Sequence, residues 1–170
     1  MIRIFGDSIS GNCQKVKWVA TRLSRPHEWI EIDVLKGETR TDEFLALNPF
    51  GQVPVIQFDD GRTLAQSNAI ILHLAEGSDL IPGDAFERAK MLEWMFWEQY
   101  SHEPVIAVRR FQKHYLNTPD DEIDPDLLAK GRRALGRMEM ALISSDWIAG
   151  GEAITLADIS LLAYTRLSHE

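Results

Sequence analysis

The stretch FGQVPVIQFDDGRTLAQSNAI, residues 50–70, holds an apolar run opened by proline, a turn, a second extended run and a helix start. Proline has no amide hydrogen, so it is confined to the first residue or the edge of a strand, and Pro54 meets that condition ahead of VIQF. Asp59-Asp60-Gly61 then signals a hairpin, because glycine takes the positive φ of tight turns. Two readings of Pro54 stand. One is an ordinary strand start, favoured because only about 5–6% of X–Pro bonds are cis. The other is a cis Val53-Pro54 bond that turns the Val53 N–H and C=O outward to pair with a bound peptide. Gln66-Ser67 likewise has two readings: a helix N-terminus whose free amides attract a carboxylate, or a serine that only caps the helix.

Working outward, 2–5 reads as a strand and Val16, Val19, Ala20 and Leu23 recur at helical spacing. Residues 29–33 read as a second strand. Thr41 then caps a short helix through Phe44 and Leu47 that stops at Asn48-Pro49. Ser67 reads as the cap of a helix carrying Ala69, Ile70, Leu72 and Leu74. The order βαβα then ββα suits a four-stranded mixed sheet with helices on both faces. Gly77, Ser78, Pro82 and Gly83 mark a linker over 77–85, which divides an α/β domain, 1–76, from an all-helical one, 86–170. In the latter, 85–100, 105–115, 126–143 and 156–166 read as helices, and Thr155-Leu156-Ala157-Asp158 reads as a capping box with Asp in the usual Glu or Gln position.

A chain of 170 residues can bury a substantial core, and 45% hydrophobic with 26% charged residues is ordinary for a globular protein. The net charge of −8 repels a phosphate backbone or an anionic membrane, so neither nucleic acid nor membrane is an expected partner. No apolar run is long enough to span a bilayer, and MIRIFGDS lacks signal-peptide features, which predicts a cytoplasmic protein. Cys13 is the only cysteine, so no internal disulfide forms. The five histidines make no HxxxH or HExxH pair, and no metal site is expected.

Ser10-Gly11-Asn12-Cys13 lies between the first strand and the first helix, with the spacing of a CxxC pair whose first cysteine is serine. Either Ser10 or Asn12 caps the helix and Cys13 is a small buried residue, or the motif faces a ligand and Cys13 exchanges with an external thiol. In WMFWEQYSHEPVIAVRRF, residues 94–111, Trp97, Tyr100 and Phe111 form either the wall of an apolar pocket or plain core.

GQVPV, the QS that follows it, the N-terminal SGNCQKV and the later TLADI together resemble the signature set of cytosolic glutathione transferases, over essentially the whole chain. The similarity points to bacterial serine- or cysteine-type members, theta-, zeta- or beta-like. It implies a thioredoxin-like βαβαββα domain that binds glutathione, followed by an all-helical domain that supplies most of the second-substrate pocket. Relatives usually continue beyond the position of Glu170, so the helical part is expected to be incomplete relative to the family.

The resemblance assigns the cysteinyl backbone of glutathione to Val53 and Pro54 and the γ-glutamyl end to Gln66 and Ser67. Gln52 stands where many relatives have a lysine near the glycyl carboxylate, with Arg40 as the substitute. The tyrosine-type mechanism is excluded, because Ile4-Phe5-Gly6-Asp7 holds no tyrosine. Ser10 matches the serine of theta-like and zeta-like members, with Asn12 as a second donor, while Cys13 matches the cysteine of beta-like members.

The implied function is conjugation of the glutathione thiolate to small hydrophobic electrophiles in a homodimer, with glutathione as co-substrate and no other cofactor. The alternatives are a thiol-disulfide reductase using Cys13 and a non-catalytic binding or regulatory protein.

Overall fold

The computed structural model describes residues 1–170, in two compact units, Met1–Ser78 and Asp79–Glu170. In the first unit β1 (Ile2–Gly6), α1 (Gly11–Arg22), β2 (His27–Glu31), α2 (Asp42–Leu47), β3 (Val55–Gln57), β4 (Thr63–Ala65) and α3 (Ser67–Leu74) follow one another. The strands form one sheet in the order β2-β1-β3-β4, with β1 and β2 parallel and β3 antiparallel to both its neighbours. This is the four-stranded mixed sheet that the element order suits, and the thioredoxin-like arrangement that the resemblance implied.

Alternation along the strands sorts the core. Phe5 and Val55 are cross-strand partners and close over Phe44 of α2, with Ile30, Ile32, Leu47, Val53 and Ala65 packed around them. Ile4 and Ile56, one step along the same strands, point to the opposite face and are fully buried. On α1 and α3, which pack on each other, Val16, Val19, Ile70 and Ile71 are also fully buried. A buried isoleucine or valine of this kind contributes roughly 1.5–3 kcal/mol.

Three local readings need correction. β2 runs over His27–Glu31 and not 29–33, because its parallel register with β1 starts at the Ile2–His27 pair. β3 starts at Val55, after the proline that cannot donate to a ladder. Ser67 does not cap α3: Gln66 occupies the cap position without a side-chain bond, and Ser67 is the first helical residue.

The second unit contains α4 (Ala85–Trp97), α5 (Glu103–His114), α6 (Pro125–Leu142) and α7 (Leu156–Thr165). Residues 79–84 pack with it: Leu80 is fully buried and its carbonyl accepts from the Leu156 amide at 3.1 Å. Between α4 and α5 the sequence suggests a break at Ser101–Pro104, yet the backbone continues through a π turn, Glu98–His102. Pro104 causes no interruption, since it lies in the first turn of α5, where a missing amide costs no bond.

The π turn is tied to α7. Glu98 Oε2 accepts from Ser160 Oγ at 3.1 Å, and His102 Nε2 meets Thr165 Oγ1 at 2.8 Å. At the start of α7, Asp158 Oδ2 accepts from the Thr155 amide and hydroxyl at 2.8 and 3.0 Å. Its Oδ1 accepts from the Ile148 amide at 2.8 Å. One carboxylate therefore satisfies donors on both sides of the 149–154 turn.

Asp158→Ala should cost about 2–3 kcal/mol, because charge-assisted bonds are lost and amide donors are stranded. Denaturant titration checks this. An unchanged midpoint would remove the capping account.

Candidate functional site

The sheet register gathers three distant segments at one end. Phe5 faces Val55 and Val55 faces Ala65, so the residues after β1, before β3 and after β4 are neighbours. These are the 7–10 loop, Val53-Pro54 and Gln66-Ser67. The Val53-Pro54 bond is cis. No hydrogen bond within the chain occupies the Val53 backbone, which leaves its N–H and C=O available at the sheet end.

The starts of α1 and α3 are joined directly. Ser67 Oγ donates to Asn12 Oδ1 at 3.1 Å, a contact across 55 residues of sequence. Ser67 is buried because its hydroxyl faces α1, and this is why it does not cap its own helix. The preceding Gln66 is exposed and takes φ 71° and ψ 111°, a conformation that costs a non-glycine residue on the order of 1–3 kcal/mol. That outlier has no counterpart in the sequence pattern.

Ser10 is the N-cap of α1. Its Oγ accepts from the Cys13 amide at 3.4 Å, which holds the hydroxyl at the start of the helix. The loop that carries it is fixed by two carboxylates that sequence analysis did not single out. Buried Asp7 accepts from the Ile9 amide at 2.9 Å and from the Val34 amide at 3.1 Å. Glu31, at the end of β2, accepts from the Ser8 amide (2.7 Å), the Ser8 hydroxyl (2.6 Å) and Trp29 Nε1 (2.6 Å). Burial alone would raise the Glu31 pKa, but these bonds and the Lys17 charge outweigh it and hold the carboxyl below its ordinary value. Gly6 is required beside them: a Cβ there would lie 2.6 Å from Trp29 Cη2 and 3.2 Å from Cys13 Cβ.

Cys13 is fully buried. Its Sγ accepts from the Asp7 amide at 3.4 Å, and burial pushes the thiol pKa up to about 11, against weaker opposition from its bonds with Ser10 and Asp7. Of the pair Ser10 and Cys13, the fold presents the hydroxyl and withdraws the thiol.

Arg40 packs against Gly51, the residue before Gln52. Gly51 has φ 62°, and a Cβ on it would stand 2.5 Å from Arg40 Nη1, so the guanidinium lies over the glycine beside exposed Gln52. The Gln52 carbonyl is held by Asn48 Nδ2 at 2.7 Å.

Residues 9–76 match the family model described as glutathione S-transferase, N-terminal domain. Glutathione S-transferase F10 of Arabidopsis thaliana is 30% identical, over 82% of this chain and 68% of its own length. A glutathione S-transferase 3 of Zea mays is also 30% identical, over 92% of this chain and 73% of its own. The crystal structure of a glutathione S-transferase from Pseudomonas fluorescens superposes with a TM-score of 0.95 at 42% identity, covering 99% of this chain and 84% of that one.

The chain belongs to the glutathione S-transferase family.

In this glutathione S-transferase the aromatic residues singled out on the helical unit divide. Trp97 and Tyr100 line an open cavity of about 400 Å³, whereas Phe111 does not; its ring lies 5.7 Å from that of Tyr115. The wall opposite is not apolar as expected. Lys130, Arg133 and Arg137 recur on one face of α6 and bring three cations to it. The sequence held this signal as a basic stripe at helical spacing.

Native Cys13 should resist iodoacetamide at pH 8 and react fully once the protein is denatured, as followed by mass spectrometry. Rapid modification of the folded protein would contradict its burial.

Proposed function

We propose that this glutathione S-transferase binds glutathione at the end of its thioredoxin-like sheet and conjugates the thiolate to small hydrophobic electrophiles, with Ser10 as the activating residue. The observation that carries the reading is the convergence of Ser10, Val53-Pro54 and Gln66-Ser67 at one sheet end, sealed by the Ser67–Asn12 bond. In it, Val53 pairs through its backbone with the cysteinyl residue, and the first amides of α3 beside Gln66 and Ser67 receive the γ-glutamyl carboxylate. Arg40, with Gln52 beside it, faces the glycyl carboxylate.

The energetics are adequate. A thiol of ordinary pKa, about 8.5, is only a few per cent ionised at neutral pH, and lowering it by two units needs about 2.7 kcal/mol. One hydrogen bond to a charged acceptor contributes roughly 1.5–3 kcal/mol, and a helix N-terminus adds about 0.3–1. Ser10 donates that bond from the start of α1, with Asn12 two residues further on. The bound thiolate then attacks the electrophile held beside it, and the leaving group departs with its electron pair.

Cys13 has no such support as nucleophile, since a buried thiol with a pKa near 11 is protonated and out of reach. The same reading includes a cytoplasmic homodimer, for which the solvent-exposed Phe86 and Phe96 of α4 offer apolar surface.

Ser10→Ala should lower kcat/KM for an aryl halide about 10- to 100-fold at neutral pH and move the ionisation that limits the rate to higher pH, with retention on immobilised glutathione preserved. Cys13→Ala should keep turnover within a few-fold. The reverse pattern, with disulfide reductase activity, would replace Ser10 by Cys13; retention without turnover in the unsubstituted protein would make it a binding protein.

A further inference from the structure

Lys15 is fully buried in α1, one turn beyond Asn12, yet no step described so far uses it. A lysine ammonium loses strong hydration on burial, so its place in a fold requires polar surroundings. Here they are found at the start of α3: Nζ lies 3.5 Å from Ser67 Oγ and 3.5 Å from Asn68 Oδ1. Asn12 and Lys15 thus both reach Ser67 from α1, and Lys15 also reaches Asn68.

The hydroxyl of Ser67 is consequently committed. Its proton goes to Asn12 and its lone pair faces the ammonium. What the start of α3 offers outward is then its first free amides, with the Lys15 Nζ held at Ser67 and Asn68 of that same helix start. A lysine ammonium held there acts on an anion at the helix start, and it acts on a neutral group of the same shape far less.

Resting on the glutathione reading above, we infer that Lys15 is a positioning and specificity-determining residue: its buried charge, acting through Ser67 and Asn68, makes the α3 end of the site select a carboxylate. It does not touch the thiol, so its effect falls on ligand binding and leaves the chemical step unchanged.

The test compares glutathione with an analogue whose γ-glutamyl α-carboxylate is replaced by the carboxamide, by calorimetry on the full chain. The unsubstituted protein should bind glutathione at least about tenfold more tightly than the amide, a difference of about 1.4 kcal/mol. Lys15→Met should erase most of that difference by weakening glutathione alone, raising its KM with kcat at saturation retained. Lys15→Arg should restore at least part of it. Equal weakening of both ligands, or of neither, overturns the inference.

Absence of glutathione binding by the unsubstituted protein instead overturns the underlying reading, and the inference with it. Should Lys15→Met not fold, the ε-carbon resonance of Lys15 in the unsubstituted protein decides. It should move on addition of glutathione and much less with the amide; equal movement with both, or none with either, refutes the role.

Discussion

The hydrogen bond from Ser67 to Asn12 ties together two helix N-termini that the sheet brings side by side. The register Phe5–Val55–Ala65 sets the loop after β1, the proline before β3 and the turn into α3 at one end of the unit. The bond then fixes how α1 and α3 present that end. Two helix dipoles point their positive ends into the same small volume, alongside a strand start whose Val53 backbone is uncommitted. The proposed function rests on that constraint, which offers one partner for an extended backbone and another for a terminal carboxylate.

The same constraint separates two chemistries that the SGNC motif leaves open. Ser10 caps α1, so it stands at the helix mouth. Cys13, three residues on, is turned into the core against Asp7 and Gly6. In the proposed function a hydroxyl in the first place stabilises a bound thiolate, whereas a thiol in the second is kept protonated by desolvation. The carboxylates of Asp7 and Glu31 matter to this division because they hold the 7–10 loop through backbone amides and so set where Ser10 points.

The element order and the hairpin were legible because their signals are local: Pro54 before VIQF, the DDG turn, and apolar residues at helical spacing. Ser67 was misread as a cap because its true partner, Asn12, is 55 residues away. Asp7 could not be read, since it binds backbone amides, which carry no residue-type pattern, and Glu31 binds Ser8 from 23 residues away. Lys15 was readable in principle: it lies four residues before Val19 and three after Asn12, a cation on the buried face of α1. The basic stripe of Lys130, Arg133 and Arg137 was equally available, but aromatic residues on the facing helix drew the reading toward an apolar pocket. The gap left between the helices 85–100 and 105–115 is bridged by the π turn, with Pro104 in the first turn of α5.

The convergence of three segments on one ligand is tested most directly by a crystal structure of this chain grown with glutathione. The account predicts the cysteinyl backbone paired with Val53, the γ-glutamyl carboxylate against the first amides of α3, and the sulfur within hydrogen-bond distance of Ser10 Oγ. Glutathione bound elsewhere, or with its sulfur turned away from Ser10, would contradict it.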